Sequence, residues 1–243
     1  MKIFHKTFQD KILTFFEATD SFTDNFSNSI FSMINQSGAK ANNMLVGEIE
    51  NEYIINYGIL DEFYLDTFNQ IIQTHIEHDL NNRLGKFSKI EKNDILIRSS
   101  WLNVMKKNEF NPLHVHEEND LNFIYFLNDF DSALETSFGR NLKSRFFNMK
   151  TQEITNNESY KGCHVIIKDQ ELMNIIPQKN FGIIYDFDLL HQVYPFQKNE
   201  KRLSFVMNIN INKLGGEREW NPEKFKWEYT HTPHEKDDVR NNI

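Results

Sequence analysis

Residues Asp94 to Asp120 read DILIRSSWLNVMKKNEFNPLHVHEEND, and at this point the texture of the chain changes. Their first half sets β-branched and aromatic residues among polar ones, which suits a strand packed on a core, and a polar turn follows. The second half is a shorter extended piece that carries His114 and His116. Further C-terminal, the runs LNFIYFL, SRFFNM, CHVIIK, FGIIYDF, HQVYPF and RLSFVMNININ recur between polar turns. Seven or eight such strands predict two packed sheets closed as a jelly roll.

Toward the N-terminus the spacing is helical instead. Phe8, Ile12, Phe15 and Phe16 predict one helix, and Phe26, Ile30, Phe31 and Ile34 predict another that Gly38 ends. Asp61 to Leu84 gives the clearest helix, with Phe63, Phe68, Ile71, Ile72, His75 and Ile76 at helical intervals before Gly85. The stretch LVGEIENEYII between them has room for a short strand or two. The expected fold is mostly β with N-terminal helices, a double-stranded β-helix (jelly-roll or cupin-like) core braced by those helices. Residues 1–90 are expected to form the helical support region, 91–212 the jelly-roll core, and 213–243 a charged, turn-rich tail that Trp220, Phe225 and Trp227 could anchor.

With 243 residues the chain suits one sizeable domain, and 22 phenylalanines supply material for its core. The net charge of −8, with Lys and Arg scattered, argues against nucleic acid as a partner. The first residues lack the apolar stretch of an export signal, and no long apolar run predicts a membrane span. Cys163 is the single cysteine, so any metal must be held by His, Asp or Glu, and a reducing cytoplasm is expected. Abundant Asn, Lys, Ile and Phe fit an AT-rich genome.

Two histidines at i and i+2 point to the same side of a strand, which suits a shared metal. A third, His191, follows in DLLHQVYPFQKNEKRLSF, and Arg202 with Ser204 comes after it on one strand face. A guanidinium beside a hydroxyl is a receptor for a terminal carboxylate. Histidine doublet, late histidine, then Arg-x-Ser therefore places a metal cage and an anion anchor in series.

That order resembles the iron(II)- and 2-oxoglutarate-dependent dioxygenases, and within them the uncharacterised oxygenases of marine tailed phages and some bacteria. The matching residues are Trp101 and Asn103, Glu109 to His116, Asp120 to Tyr125, His191 to Phe196, and Arg202 with Ser204. They span roughly residues 45 to 212. The resemblance implies iron(II) held by His114, His116 and His191, with Arg202 and Ser204 on the far carboxylate of 2-oxoglutarate. Asn103 and Tyr125 are implied as further cosubstrate contacts. It also implies consumption of O2, decarboxylation of 2-oxoglutarate to succinate and CO2, and hydroxylation of a prime substrate: a protein side chain, a nucleotide or a small metabolite. The expected setting is the cytoplasm, with that of a phage-infected bacterial host included.

The chain departs from the pattern in having Asn122 in place of a serine, one extra residue in the turn EEND, and His116 in place of the usual aspartate. Three ligand sets stay open: His116 itself, an acid folding back from Glu117, Glu118 or Asp120, or two histidines completed by water or substrate. Two other functions stay open as well. One is a three-His cupin-like iron dioxygenase that uses no 2-oxo acid, and the other is a jelly-roll module without catalysis.

Singly, each residue has a plainer explanation. An isolated His191 reads as a core histidine, and Arg202 as half of a surface pair with Glu200 or Asp188. His75 and His78 read as core and surface positions, and His231 and His234 fall in the tail. Cys163 and His164 are neighbours on a strand and face opposite ways, so they do not make a nucleophile and base.

Overall fold

The N-terminal residues pair as a hairpin, β1 (Lys2–Phe8) with β2 (Lys11–Glu17), and not as the helix that their apolar spacing predicts. Ile12 to Phe16 are buried throughout, because β2 lies inside a sheet with packing on both faces. A continuous apolar run of this kind satisfies helical and strand templates alike. Gln9, at φ 56°, takes the left-handed backbone that a two-residue hairpin turn demands.

The computed structural model describes the chain except residues 42–44, 46, 84–93, 117–118, 131–142, 156–162, 169–170, 212–217, 222–225 and 230–243. Helix α1 (Asp20–Ser37) starts on Thr19, whose hydroxyl accepts from the Phe22 N–H. It stops at Gly38, left-handed at φ 50°, as the sequence predicts. After β3 (Glu52–Ile54) comes α2 (Glu62–Arg83), close to its predicted bounds. The strands continue with β4 (Ile95–Met105), β5 (Asn111–His114), β6 (Leu121–Phe126), β7 (Lys143–Asn148), β8 (Glu153–Thr155), β9 (His164–Lys168), β10 (Glu171–Ile175), β11 (Phe181–Asp186), β12 (Leu190–Val193) and β13 (Arg202–Ile211). A separate hairpin, β14 (Arg218–Asn221) with β15 (Lys226–Tyr229), stands in the predicted tail and pairs Trp220 with Trp227 in register. Phe225, the tail's third predicted anchor, lies outside the described residues.

Two sheets make the body. One has the order β1-β2-β11-β6-β13-β4-β3, the other β5-β12-β9-β10-β7-β8. This is the expected jelly roll, with helices on one outer face. Strand parity divides the larger sheet's side chains between two cores. Leu13, Phe15, Trp101, Ile124, Phe126, Ile183, Tyr185 and Val206 point inward to meet Ile166, Met173 and Ile175 of the smaller sheet. Phe16, Leu102, Phe123, Tyr125, Ile184, Phe205 and Met207 point outward and meet Phe26 and Ile30 of α1 and Phe68, Ile71 and Ile72 of α2. Gly182 of β11 is a glycine because the ring of Phe16 takes its side-chain space: a Cβ there would lie 2.1 Å from that ring and 2.7 Å from the Ile124 carbonyl oxygen.

Candidate metal centre

The doublet enters the site differently from its prediction, because β5 ends at His114 and His116 lies beyond the strand. The rings meet nonetheless. His114 pairs directly with His191 across β5 and β12. Ring centroids lie 4.2 Å apart for His114 and His191, and 5.0 Å apart for His116 and each of the other two. One ligand nitrogen from each of the three lies within 4.8 Å of the others.

Local backbone sets the tautomers. The Nδ1 of His114 is 2.6 Å from the Pro112 carbonyl oxygen, and the Nδ1 of His191 is 2.9 Å from that of Leu189. A carbonyl only accepts, so each Nδ1 carries the proton and each Nε2 keeps its lone pair. This outer hydrogen bond is the usual support of a metal-ligating histidine. Pro112 costs the sheet nothing, since β5 is an edge strand. The Nε2 atoms of His116 and His191 are 3.2 Å apart. Two nitrogens bound to one metal at about 2.1 Å and near a right angle lie about 3 Å apart, so the residues fit an ion.

Burial keeps the imidazoles neutral, as ligands must be. It lowers the pKa of His114 and, with the neighbouring His114 charge, that of His116 to about 4. His191 is held well below the ordinary value by burial first and by the surrounding histidines second. Of the acids weighed as a third ligand, Glu117 and Glu118 lie outside the described residues. Asp120 turns away, its Oδ2 accepting the Ile211 N–H at 2.7 Å.

The predicted anion anchor faces the same interior. Arg202 is 2% exposed, and its guanidinium lies 5.2 Å from the centre of the Phe126 ring. One terminal N–H donates to Ser204 Oγ at 3.1 Å, whereas Nε has no hydrogen-bond partner. Burial lowers its pKa to about 10, so it stays charged at neutral pH. A buried cation with an idle donor and a hydroxyl beside it fits a ligand carboxylate. The surface-pair reading fails for Asp188, which bonds Lys11 at 2.8 Å.

Asn103 and Tyr125 separate. Asn103 stands opposite Ser204 on β4, buried, with Oδ1 unpartnered. Tyr125 belongs to the outer face, and its expected cosubstrate contact is corrected by strand parity: it alternates with the inward Ile124 and Phe126. Its hydroxyl is 2.6 Å from Thr23 Oγ1 on α1. Thr23 can give its proton to the Thr19 or Asn180 oxygen, so Tyr125 donates here.

Several groups to which the sequence assigned no role at the site share the barrel interior. His164 is bonded through Nε2 to the Tyr185 hydroxyl at 2.9 Å, and its ring lies 5.4 Å from that of His191. Cys163 faces the other way, into a cluster with Val165 and Leu172, as parity predicts. Trp101, 6.3 Å from His116 between ring centres, has an unpartnered Nε1, and Glu52 on β3 stands opposite Asn103. The signal for these was alternation on strands whose inward face only the register reveals.

A second group of potential ligands is buried under α2. His75, Asp79 and Asp186 come within 4.8 Å of one another, whereas the sequence offered His75 no evident carboxylate. Lys11 pairs with Asp186 at 2.8 Å and Thr14 is bonded to His75 at 2.7 Å, so the group ties α2 to β2 and β11.

Residues 99–208 match the family described as "Putative 2OG-Fe(II) oxygenase". No curated protein matches the chain. Among solved structures it is similar to a Pseudomonas putida prolyl-4-hydroxylase, at 12% identity and a TM-score of 0.51, over 82% of this chain and 92% of that one. It is also similar to a Trichoplax adhaerens prolyl hydroxylase in complex with a hypoxia inducible factor oxygen degradation domain peptide fragment, at 13% identity and a TM-score of 0.50, over 84% and 87%. At such identities the likeness is one of fold. The family match covers Asn103, the three clustered histidines, Arg202 and Ser204, so the candidate site lies within the part of the chain that is similar to this oxygenase family.

Proposed function

We propose that His114, His116 and His191 hold the iron, that Arg202 and Ser204 bind the far carboxylate of 2-oxoglutarate, and that the enzyme hydroxylates a C–H bond. The observation that carries this reading is the buried Arg202, with an idle Nε, in the same interior as three neutral histidines. Bound iron supplies the redox chemistry that joins O2 to the reaction, giving hydroxylated product, succinate and CO2 from substrate, O2 and 2-oxoglutarate.

The protein's own part is placement. Arg202 and Ser204 fix one end of the cosubstrate, and Asn103, across from Ser204, offers an amide to it. Phe126 stacks against the guanidinium and, with Ile124 and Val206, keeps water from the reacting end. Residues 91–212 carry the iron and 2-oxoglutarate groups and 213–243 form the tail, while within 1–90 the helices α1 and α2 brace the core and β1, β2 and β3 extend its larger sheet. A cytoplasm, which supplies 2-oxoglutarate and keeps iron reduced, suits the reaction.

Anaerobic reconstitution followed by oxygen exposure tests the reading. One iron per chain is expected, with succinate released only when iron is present, and His191→Ala should lose both. A wild-type protein that retains no iron would sink the ligand assignment.

A further inference from the structure

We propose that Glu52 and Asn111 form the recognition site for the prime substrate, and that they take a cationic nitrogen group, an ammonium or guanidinium. This deepens the iron centre proposed above and rests on it. Ser204, Asn103 and Glu52 stand in one cross-strand row on the larger sheet's inner face. Two strand spacings put Glu52 about 10 Å from Ser204, in line with the cosubstrate anchor but on the sheet's last strand, whose outer edge pairs with residues 39–41.

Glu52 has no exposed surface, and neither carboxylate oxygen has a hydrogen-bond partner. A buried carboxylate left bare is among the costliest groups a fold can carry, unless a ligand completes it. On the facing sheet, Asn111 lies on β5, the strand that also carries His114, and its Oδ1 is buried and unpartnered. These oxygens converge. A Cβ on Gly47 would lie 3.2 Å from Glu52 Oε1, 3.3 Å from Asn111 Oδ1 and 3.4 Å from Ile49 Cδ1, so the two oxygens close on the same point of the backbone, and only a glycine there lets them approach it.

The chemistry of that space is one-sided. Glu52 can only accept while ionised, and Asn111 turns its carbonyl the same way, so the ligand must donate. A neutral N–H would satisfy an oxygen without balancing the charge, whereas an ammonium or guanidinium does both. Burial, with the Glu109 charge second, raises the Glu52 pKa to about 7, as expected of a carboxylate that no cation among the described residues compensates. Arg202 at one end and Glu52 at the other then sort an anionic cosubstrate from a cationic substrate within one barrel.

The test uses the full chain loaded anaerobically with iron(II) and 2-oxoglutarate. The probes are free L-arginine and L-lysine, short amidated peptides containing either residue, and citrulline counterparts of the same shape without the charge. Binding is read by calorimetry and by the shift of the iron–2-oxoglutarate absorption band. Cationic probes should bind and citrulline probes should not. Glu52→Gln, whose folding is checked by its melting temperature, should weaken cation binding about 30-fold or more. Gly47→Ala, which pushes Glu52 Oε1 and Asn111 Oδ1 apart and keeps the carboxylate, should weaken it as well. Binding of free amino acids marks a small metabolite as the source of the cation, and binding of peptides alone marks a protein side chain. Equal binding of citrulline probes, wild-type affinity in Glu52→Gln, or no cation binding beside an intact band would overturn the assignment of Glu52. Absence of the band in the wild type would count against the iron centre itself.

Discussion

The two faces of the seven-stranded sheet treat several of their polar groups differently. On the outer face, under the helices, Tyr125 bonds Thr23, and Thr14 bonds both His5 and His75. On the inner face, Arg202 Nε, Trp101 Nε1, Asn103 Oδ1 and both oxygens of Glu52 have no partner. Burial is similar on the two faces, so solvent does not account for the contrast. Folding partners these outer-face groups, and under the proposed function ligands partner the inner-face ones.

Substitutions on the outer face should therefore cost stability, and those on the inner face should cost binding. The largest effect is expected from Gly182→Ala, which drives a methyl group into Phe16 and should destabilise by ~3 kcal/mol or more, measured by urea unfolding. Arg202→Met comes next. It should weaken 2-oxoglutarate binding about 100-fold by calorimetry, while stability holds or rises because an uncompensated buried charge is gone. A loss of stability as large as that of Gly182→Ala would break the contrast.

Glu52 gives the contrast a pH signature. Its folded pKa, about 7, is raised above the ordinary carboxylate value of 4.5, so the native state keeps a proton that the unfolded chain loses first. Its favourable contribution is complete below about pH 4.5 and disappears as pH rises through about 7. Wild-type stability should fall by ~2 kcal/mol over that window, with some of the shift lost to screening at the sheet edge, and Glu52→Gln should remove this slope. The smallest effect is expected from Tyr125→Phe, about 1 kcal/mol for one buried hydrogen bond, with 2-oxoglutarate affinity unchanged. Weakened cosubstrate binding in that variant would return Tyr125 to the site.

What the sequence showed follows the same division. The clustering of the three histidines and the contact of Arg202 with Ser204 were legible because their order and spacing along the chain survive without knowledge of register, whereas their roles belong to the proposed function. Tyr125 was misplaced because its face depends on parity, which only the pairing of β6 with β11 and β13 fixes. The hairpin of β1 and β2 was misread because Ile12 to Phe16, buried on both faces, carry no alternation to read. Glu52 gave no signal, since a lone acid in NEYI looks like any surface acid until its strand is set against Asn103.

The central claim is that one interior wall holds iron through three histidines and 2-oxoglutarate through Arg202. Anaerobic titration of the iron(II) protein with 2-oxoglutarate tests it most directly, through the charge-transfer band expected near roughly 500 nm when a 2-oxo acid chelates the metal. The account predicts a saturable band in the wild type, the same band at about 100-fold higher 2-oxoglutarate in Arg202→Met, and none in His191→Ala. A wild-type protein that binds iron and shows no band, or an Arg202→Met titration that overlays the wild type, would contradict it.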